Sequence, residues 1–243
     1  LMCGRFAISK LPDELIDEFE ITAGNTGAIL PASWNIAPTQ PIYIIRNNEQ
    51  NSKRELTDVS WGIIAPWSKS KADAIKSQSQ AINARIETVA EKPTFRRAFK
   101  SQRCLIPASG YYEWATELNY PTKQPFYITD KDSNKTLAMA GIYERWQDET
   151  GATISSAAII TRAAEDFLAK IHNRMPTFLP KDKWQNWLDK DIQEPEQISG
   201  LLQIKNSTAH LTATAVSTRV NSTRNNGVDL IKPIEILPDQ TLF

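Results

Sequence analysis

The chain has 243 residues, 41% of them hydrophobic and seven of them tryptophan, enough for one large domain with a substantial core. Lys plus Arg equals Asp plus Glu at 28 each, which argues against a protein that coats nucleic acid by bulk charge but leaves room for a local basic groove. No run approaches the roughly 20 apolar residues of a membrane span, no signal peptide opens the chain, and two distant cysteines make no disulfide framework, so a cytoplasmic protein with reduced thiols is expected.

Pro12 to Phe19 reads as a short helix, with proline and acids in its first turn and Leu11, Leu15, Ile16 and Phe19 on its apolar face. Asn35 to Thr39 reads as a loop, and Pro41 to Arg46 and Leu56 to Ile64 as strands. Residues 68–80, rich in Ser, Lys and Gln, form a polar loop or an irregular helix, and Thr94 to Lys100 a helix with Phe95 and Phe99 on one side. A strand series follows at Arg103 to Pro107, Gly110 to Thr116, Pro125 to Thr129, Leu137 to Trp146 and Ile154 to Thr161, with turns rich in Asn, Asp, Lys and Gly between them. Helices are expected at Ala163 to Ile171 and Lys181 to Leu188, a strand around Leu211 to Val216, and a Ser/Asn/Arg-rich loop at 217–227. With no repeat and no linker, this order points to a single α+β domain over residues 2–235 with a β-rich core and a few flanking helices. No Gly-rich phosphate loop is present.

Chemistry concentrates at the start, in Met2-Cys3-Gly4-Arg5-Phe6. Leu1 is read as a remnant of expression or processing and Met2 as a removable initiator, which makes Cys3 the N-terminal residue. An α-amine and a thiol then sit on adjacent carbons. The amine can condense with an aldehyde to a Schiff base, and the thiol can add to the imine and close a thiazolidine ring. The second step is intramolecular, where effective molarities of about 10⁵ M or more are reached. The amine's ordinary pKa of about 7.7–8.0 leaves part of it nucleophilic at neutral pH. The plain alternative is a loosely ordered terminus with a chance cysteine. Cys104, in Cys104-Leu105-Ile106-Pro107, is read as packing.

Glu113 stands among aromatics in Gly110-Tyr111-Tyr112-Glu113-Trp114. If desolvated there, its pKa rises toward the range of a general acid–base; if it faces outward, it is an ordinary surface carboxylate. His172 ends a helix before the loop Asn173-Arg174-Met175-Pro176, suited either to catalysis or to capping that helix. Asn83 and Arg85 share one face of an extended segment and offer donors suited to a sugar-phosphate. His210 is placed in an ordinary strand setting without a role. Scattered His and Cys show no metal-ligand spacing, no cofactor is implied, and no serine nucleophile elbow occurs.

In order along the chain, Met2-Cys3-Gly4-Arg5-Phe6, Asn35-Ile36-Ala37-Pro38, Trp61-Gly62 through Pro66-Trp67, Ile82-Asn83-Ala84-Arg85 with Glu87-Thr88, Gly110-Tyr111-Tyr112-Glu113-Trp114, Ile160-Thr161, Ile171-His172-Asn173-Arg174-Met175-Pro176 and Val216-Ser217 through Asn226-Gly227 resemble the SRAP family (SOS-response-associated peptidase). The resemblance implies a single α+β domain that binds abasic sites in single-stranded DNA and forms a reversible thiazolidine crosslink through the N-terminal cysteine. By position it makes Cys3 the nucleophile, Glu113 the proton shuttle, His172 the group that holds and protonates the sugar oxygen and helps reversal, and Asn83 the residue that positions Cys3 and the sugar. It assigns DNA contacts to Arg5, Pro38, Trp67, Arg85, Trp114, Thr161, Arg162 and Arg174. It further implies a monomer working with single-stranded DNA, without metal or membrane, associated with a bacterial nucleoid when bound. Bacterial relatives often carry two adjacent tryptophans where this chain has Trp67-Ser68, which bears on the preference for DNA with a duplex edge.

Two other readings stay open. One is a thiol peptidase or autopeptidase using Cys3, His172 and Glu113, with an N-terminal-nucleophile amidohydrolase close to it in spirit. The other is a noncovalent single-strand DNA-binding module, whose binding weakens steeply with salt where a covalent adduct does not.

Overall fold

The apolar strand runs from Pro41 onward bury both of their faces, and they do so by closing on one another. The computed structural model describes residues 3–115, 123–205 and 207–235. In chain order the elements are β1 (Arg5–Ile8), α1 (Pro12–Glu18), β2 (Ser33–Ile36), β3 (Pro41–Asn47), β4 (Arg54–Trp61), α2 (Lys71–Gln80), β5 (Asn83–Arg85), α3 (Pro93–Ser101) and β6 (Arg103–Ala108). Then follow β7 (Gly110–Trp114), β8 (Pro125–Asp130), β9 (Leu137–Gln147), β10 (Thr153–Ala163), α4 (Leu168–Ile171), β11 (Arg174–Pro176), α5 (Lys181–Leu188), α6 (Pro195–Leu201) and β12 (Leu211–Ala215). β3 pairs antiparallel with β4 and β6, β6 with β9, and β9 with β10, while β10 returns alongside β4 in parallel. The ring is closed, which removes exposed sheet edges.

A second, antiparallel sheet runs β12-β8-β7-β1-β2. It packs on the barrel through Phe6 against Trp61, with ring centroids 5.0 Å apart, and Tyr111 against Phe178 at 5.8 Å. Trp61 is fully buried, and its Nε1–H donates to the Ile82 carbonyl at 3.1 Å, tying the barrel to the start of β5. Truncating such a side chain costs about 3–5 kcal/mol. The following Gly62 has φ +112°, and a Cβ there would lie 2.3 Å from the Gln78 carbonyl oxygen, so only glycine fits the turn. Among the described residues no helix is long and apolar enough to cross a membrane.

The α+β architecture agrees with the sequence reading, and the differences have local causes. Residues 71–80 form a regular helix because the Ser70 hydroxyl caps it, accepting from the Asp73 N–H at 3.2 Å. The helix expected from Ala163 shrinks to Leu168–Ile171, since Thr161 to Ala163 continue β10 against β11 and Asp166 takes a left-handed φ of +50°. Asn35 lies in β2 rather than in a loop, Leu11 is exposed, and His210 sits in a turn before β12. Pro195–Leu201 is a helix the pattern did not reveal, and residues Thr218–Asn221 form a short 3₁₀ turn inside the expected loop. The expected strand end at Thr116 and the residues Leu1 and Met2 lie outside the described residues.

β10 is longer than its ring partners need, and this extension builds the site. Its last residues carry β5 in parallel on one side, with Thr161 opposite Arg85, and β11 antiparallel on the other, with Ala163 opposite Arg174.

Candidate active site

The β1–β7 register sets Arg5 opposite Tyr112, so one step further back Gly4 meets Glu113 and Cys3 lies at the open strand end. The two faces of β7 are both covered. Tyr112 packs with Ala7, Tyr127, Val216 and Val220, while Tyr111 belongs to the main core. Glu113, two residues after Tyr111, faces the barrel side and is 3% exposed, so it is not an outward surface carboxylate.

The Cys3 backbone N–H donates to Glu113 Oε2 at 2.9 Å, and the Cys3 Sγ–H donates to the same oxygen at 3.3 Å. Cys3 has φ +42°, a left-handed conformation that turns its nitrogen toward β7 at a cost of about 1–2 kcal/mol for a non-glycine residue. Burial pushes the Glu113 carboxyl up, with the nearby His172 imidazole and the Cys3 N–H pulling against it. Burial also pushes the Cys3 thiol well up, the Glu113 charge adds to this, and the Arg174 cation opposes it. A standing thiolate is therefore disfavoured, and the Cys3 nitrogen and thiol both donate to one buried carboxyl oxygen.

His172 caps the C-terminus of α4 and is half-buried. Its Nδ1 accepts from the Arg174 backbone N–H at 3.1 Å, which leaves Nε2 as the ring's donor. Arg174 holds Glu87 with both fork nitrogens, at 2.6 and 2.9 Å, and donates to the Thr161 carbonyl at 2.7 Å. Thr161 is fully buried, and its carbonyl also accepts from the Ile86 N–H at 2.9 Å. Asn83 is half-buried and Arg85 exposed on the same face of β5, with Ala84 buried between them.

Asn83 and Arg85 open a cavity of about 630 Å³ that shares Gln80, Lys92 and Phe95 with an adjoining one of about 560 Å³ running to Trp67, Lys69 and Lys76. Together they make a groove with cations along its wall and Trp67, 56% exposed, at its far end. Sequence reasoning missed Lys69, Lys76 and Lys92. The lysines of residues 68–80 carried the signal, but it surfaces only once α2 is recognised as a helix with one face on the groove.

Not every expected site residue joins this cluster. Arg5 donates to Asn35 Oδ1 at 2.9 Å and to the Val220 carbonyl at 3.0 Å, while Trp114 Nε1 donates to Asn221 Oδ1 at 2.7 Å. Both fasten the Thr218–Asn221 turn against the second sheet. Arg162 is paired with Glu165, and Pro38 is half-buried in the turn between β2 and β3. Cys104 is fully buried in β6, where desolvation pushes its thiol far up, in keeping with packing. A cavity of about 700 Å³ between Phe178, Trp184, Lys181 and His210 is larger than either groove segment, yet none of Cys3, Glu113 and His172 lines it. The chemistry of the side chains, rather than cavity size, locates the site. Among the described residues no group of three or more His, Cys, Asp or Glu is placed to hold a metal ion.

The model of a family described as SOS response associated peptidase (SRAP) matches residues 2–223. A Bacillus subtilis (strain 168) protein, named abasic site processing protein YoaM, is 38% identical over 230 residues, covering 95% of this chain and 97% of its own. The Xenopus tropicalis abasic site processing protein HMCES is 29% identical, over 93% of this chain and 76% of its own. A crystal structure of a protein from Bacteroides thetaiotaomicron matches with a TM-score of 0.83 at 25% identity, covering 96% of this chain and 100% of that one. By sequence over nearly its whole length, the chain belongs to the SRAP family.

Proposed function

We propose that this protein binds abasic sites in single-stranded DNA and, through a Cys3 freed of Met2, forms a reversible thiazolidine with the ring-opened deoxyribose, shielding the lesion. One observation carries the reading: the nitrogen and the sulfur of Cys3 converge on a single buried carboxylate oxygen, at 2.9 and 3.3 Å. This arrangement suits thiazolidine formation, in which the thiol and, once Met2 is removed, the amine of one cysteine lose protons in sequence. The names of the relatives support the substrate class.

The steps follow from the proton positions. Opening of the sugar hemiacetal requires a proton delivered to the ring oxygen and one taken from the C1 hydroxyl. His172 Nε2–H supplies the first, and the Glu113 carboxylate takes the second and passes it back to His172, so that both groups return to their starting state. The Cys3 amine then adds to the C1 aldehyde. Its two protons pass in turn through Glu113 to the former aldehyde oxygen, which leaves as water as the imine forms. Sγ adds to the imine carbon, and the thiol proton travels through Glu113 Oε2 to the nitrogen. One aldehyde and one cysteine give one thiazolidine and one water. A carboxyl raised by burial suits the task, since it must both hold and release a proton near neutral pH. Asn83, on β5 at the mouth of the groove, positions the sugar, while Arg85 and Arg174 take flanking phosphates and the groove leads the strand toward Trp67.

The electrostatics give less support to a thiol peptidase. Such a nucleophile works as a thiolate held by a cationic partner, whereas the Cys3 thiol is pushed up by burial and by the charge of Glu113. A protein beginning at Cys3 is incubated with single-stranded DNA carrying one abasic site and run on a denaturing gel. A shifted band is expected, absent with Cys3→Ala and with a form that keeps Met2 and so has no free amine. A band that persists with Met2 in place would refute the thiazolidine and leave simple thiol addition. No band from the free-amine form would leave a noncovalent module.

A further inference from the structure

Arg174 is 12% exposed in its side chain, and its Nε is buried without a hydrogen-bond partner. Its cationic fork is occupied by the two oxygens of Glu87, whose side chain is 50% exposed. The guanidinium lies close enough to Cys3 to pull its thiol down. An end-on, two-oxygen grip on a guanidinium is also how a phosphate is held. The two partners differ in freedom. Arg174 is fixed by the Thr161 carbonyl, while the half-exposed Glu87 can swing into water at little cost to itself; its departure leaves the largely buried Arg174 cation needing another anion. The Arg174 cation holds the Glu87 carboxyl below its ordinary range, with Arg85 helping, so the placeholder is ionised at neutral pH.

We infer that Glu87 is a built-in phosphate surrogate: it keeps the Arg174 seat filled in the free protein and must be displaced by a strand phosphodiester before Cys3 is reached. The natural ligand in this inference rests on the DNA reading, but the seat itself is an anion site of stated geometry. Glu87 thereby acts as a selectivity residue. Only an anion that arrives with further contacts, at Arg85 and along the groove, outcompetes a tethered carboxylate. The same device sets the salt dependence. A phosphate that replaces Glu87 on Arg174 makes an exchange of anions and releases no net counterion for that contact, whereas a seat without Glu87 releases one.

The test uses the full chain with Cys3→Ser, so that binding stays reversible, with and without Glu87→Gln and Glu87→Ala. Two titrations are run, one with inorganic phosphate followed by NMR at the Arg174 Nε–H and one with an undamaged single strand followed by anisotropy. The expected result is phosphate binding strengthened several-fold in both variants, and strand binding strengthened several-fold with a salt slope steeper by about 0.7, the value for one added phosphate contact on a single strand. Adding Arg174→Ala abolishes the gain. Phosphate binding unchanged or weakened in both variants overturns the inference and makes Glu87 a brace that positions Arg174. Stronger phosphate binding with no change toward the strand sustains the anion seat and counts against the DNA reading instead.

Discussion

The Cys3 end of β1 and the groove that runs from Arg85 to Trp67 are neighbours built on opposite principles. At the first, a thiol at 2% exposure and a carboxyl at 3% are kept from water, and burial disfavours the charge of both. Along the second, Arg85, Lys69 and Lys92 stand exposed, and each charge is worth little alone. Under the proposed function the contrast divides the labour. Proton transfer between nitrogen, sulfur and sugar needs a dry cluster with few alternatives, whereas capture of a long anion needs many weak, reversible contacts. The sharpest separation of the two regions comes from Cys3→Ala. The adduct on a denaturing gel is expected to vanish, while noncovalent strand affinity stays within about threefold, because the cations of the groove are untouched. Loss of both together would mean that the two regions are one.

Glu113→Gln tests the dry region from both sides. Adduct formation is expected to slow by about 10²-fold or more, the scale of a positioned acid–base group, as measured by single-turnover gel kinetics. Stability is expected to move the other way. A folded-state carboxyl pKa above the ordinary value of about 4.3 means the native state holds its proton more tightly than the unfolded chain. That contribution is fully present at lower pH and is lost as pH rises through the raised value. The variant should therefore gain in urea midpoint over the parent at pH 8 and show no such gain at pH 4. A midpoint difference that does not depend on pH would remove burial as the cause of the raised pKa.

The same contrast explains what was legible in the sequence. The barrel strands were readable because apolar runs such as Pro41 to Arg46 and Leu137 to Trp146 mark themselves locally. Glu113 was readable as unusual from its aromatic neighbours, but its direction was not, because both faces of β7 are covered and alternation carries no sign there. The arginines were the least legible. Arg103 reads like its basic neighbours Arg96, Arg97 and Lys100, yet it is buried and donates to the Trp187, Phe99, Lys100, Asp189 and Ile192 carbonyls, so it is a staple of the fold. Arg5 likewise holds the 218–221 turn. Arg174, near Cys3, is largely buried too, but it faces an exposed carboxylate. Residue type cannot separate these cases; only the partners of each guanidinium do, and those come from distant parts of the chain.

Within the exposed region the largest expected loss is at Trp67. If a base stacks on it, Trp67→Ala costs about 1–3 kcal/mol, or roughly 5- to 150-fold in strand affinity, and the loss persists at high salt because stacking releases no counterions. Thermal stability should hardly change, since the ring is more than half exposed. A variant with normal affinity would take Trp67 out of the strand path.

Lys92→Ala is the smallest change and the most discriminating. Lys92 lines both segments of the groove, and its side chain is exposed. Its carbonyl, which accepts from the Phe95 and Arg96 N–H groups at the start of α3, is kept by the substitution. Strand affinity is expected to fall a few-fold at low salt, with the slope of log affinity against log salt reduced by about 0.7, and to converge with the parent as salt rises. The rate of adduct formation at saturating DNA should be unchanged, because Lys92 has no part in the cluster at Glu113. The Trp67 loss ignores salt and the Lys92 loss is erased by it, so the pair distinguishes stacking from charge within one groove. A Lys92 variant that slowed the saturated rate would mean that strand capture and proton transfer share a conformational step, and the division between wet and dry regions would have to be redrawn around Phe95, which both groove segments share with Lys92.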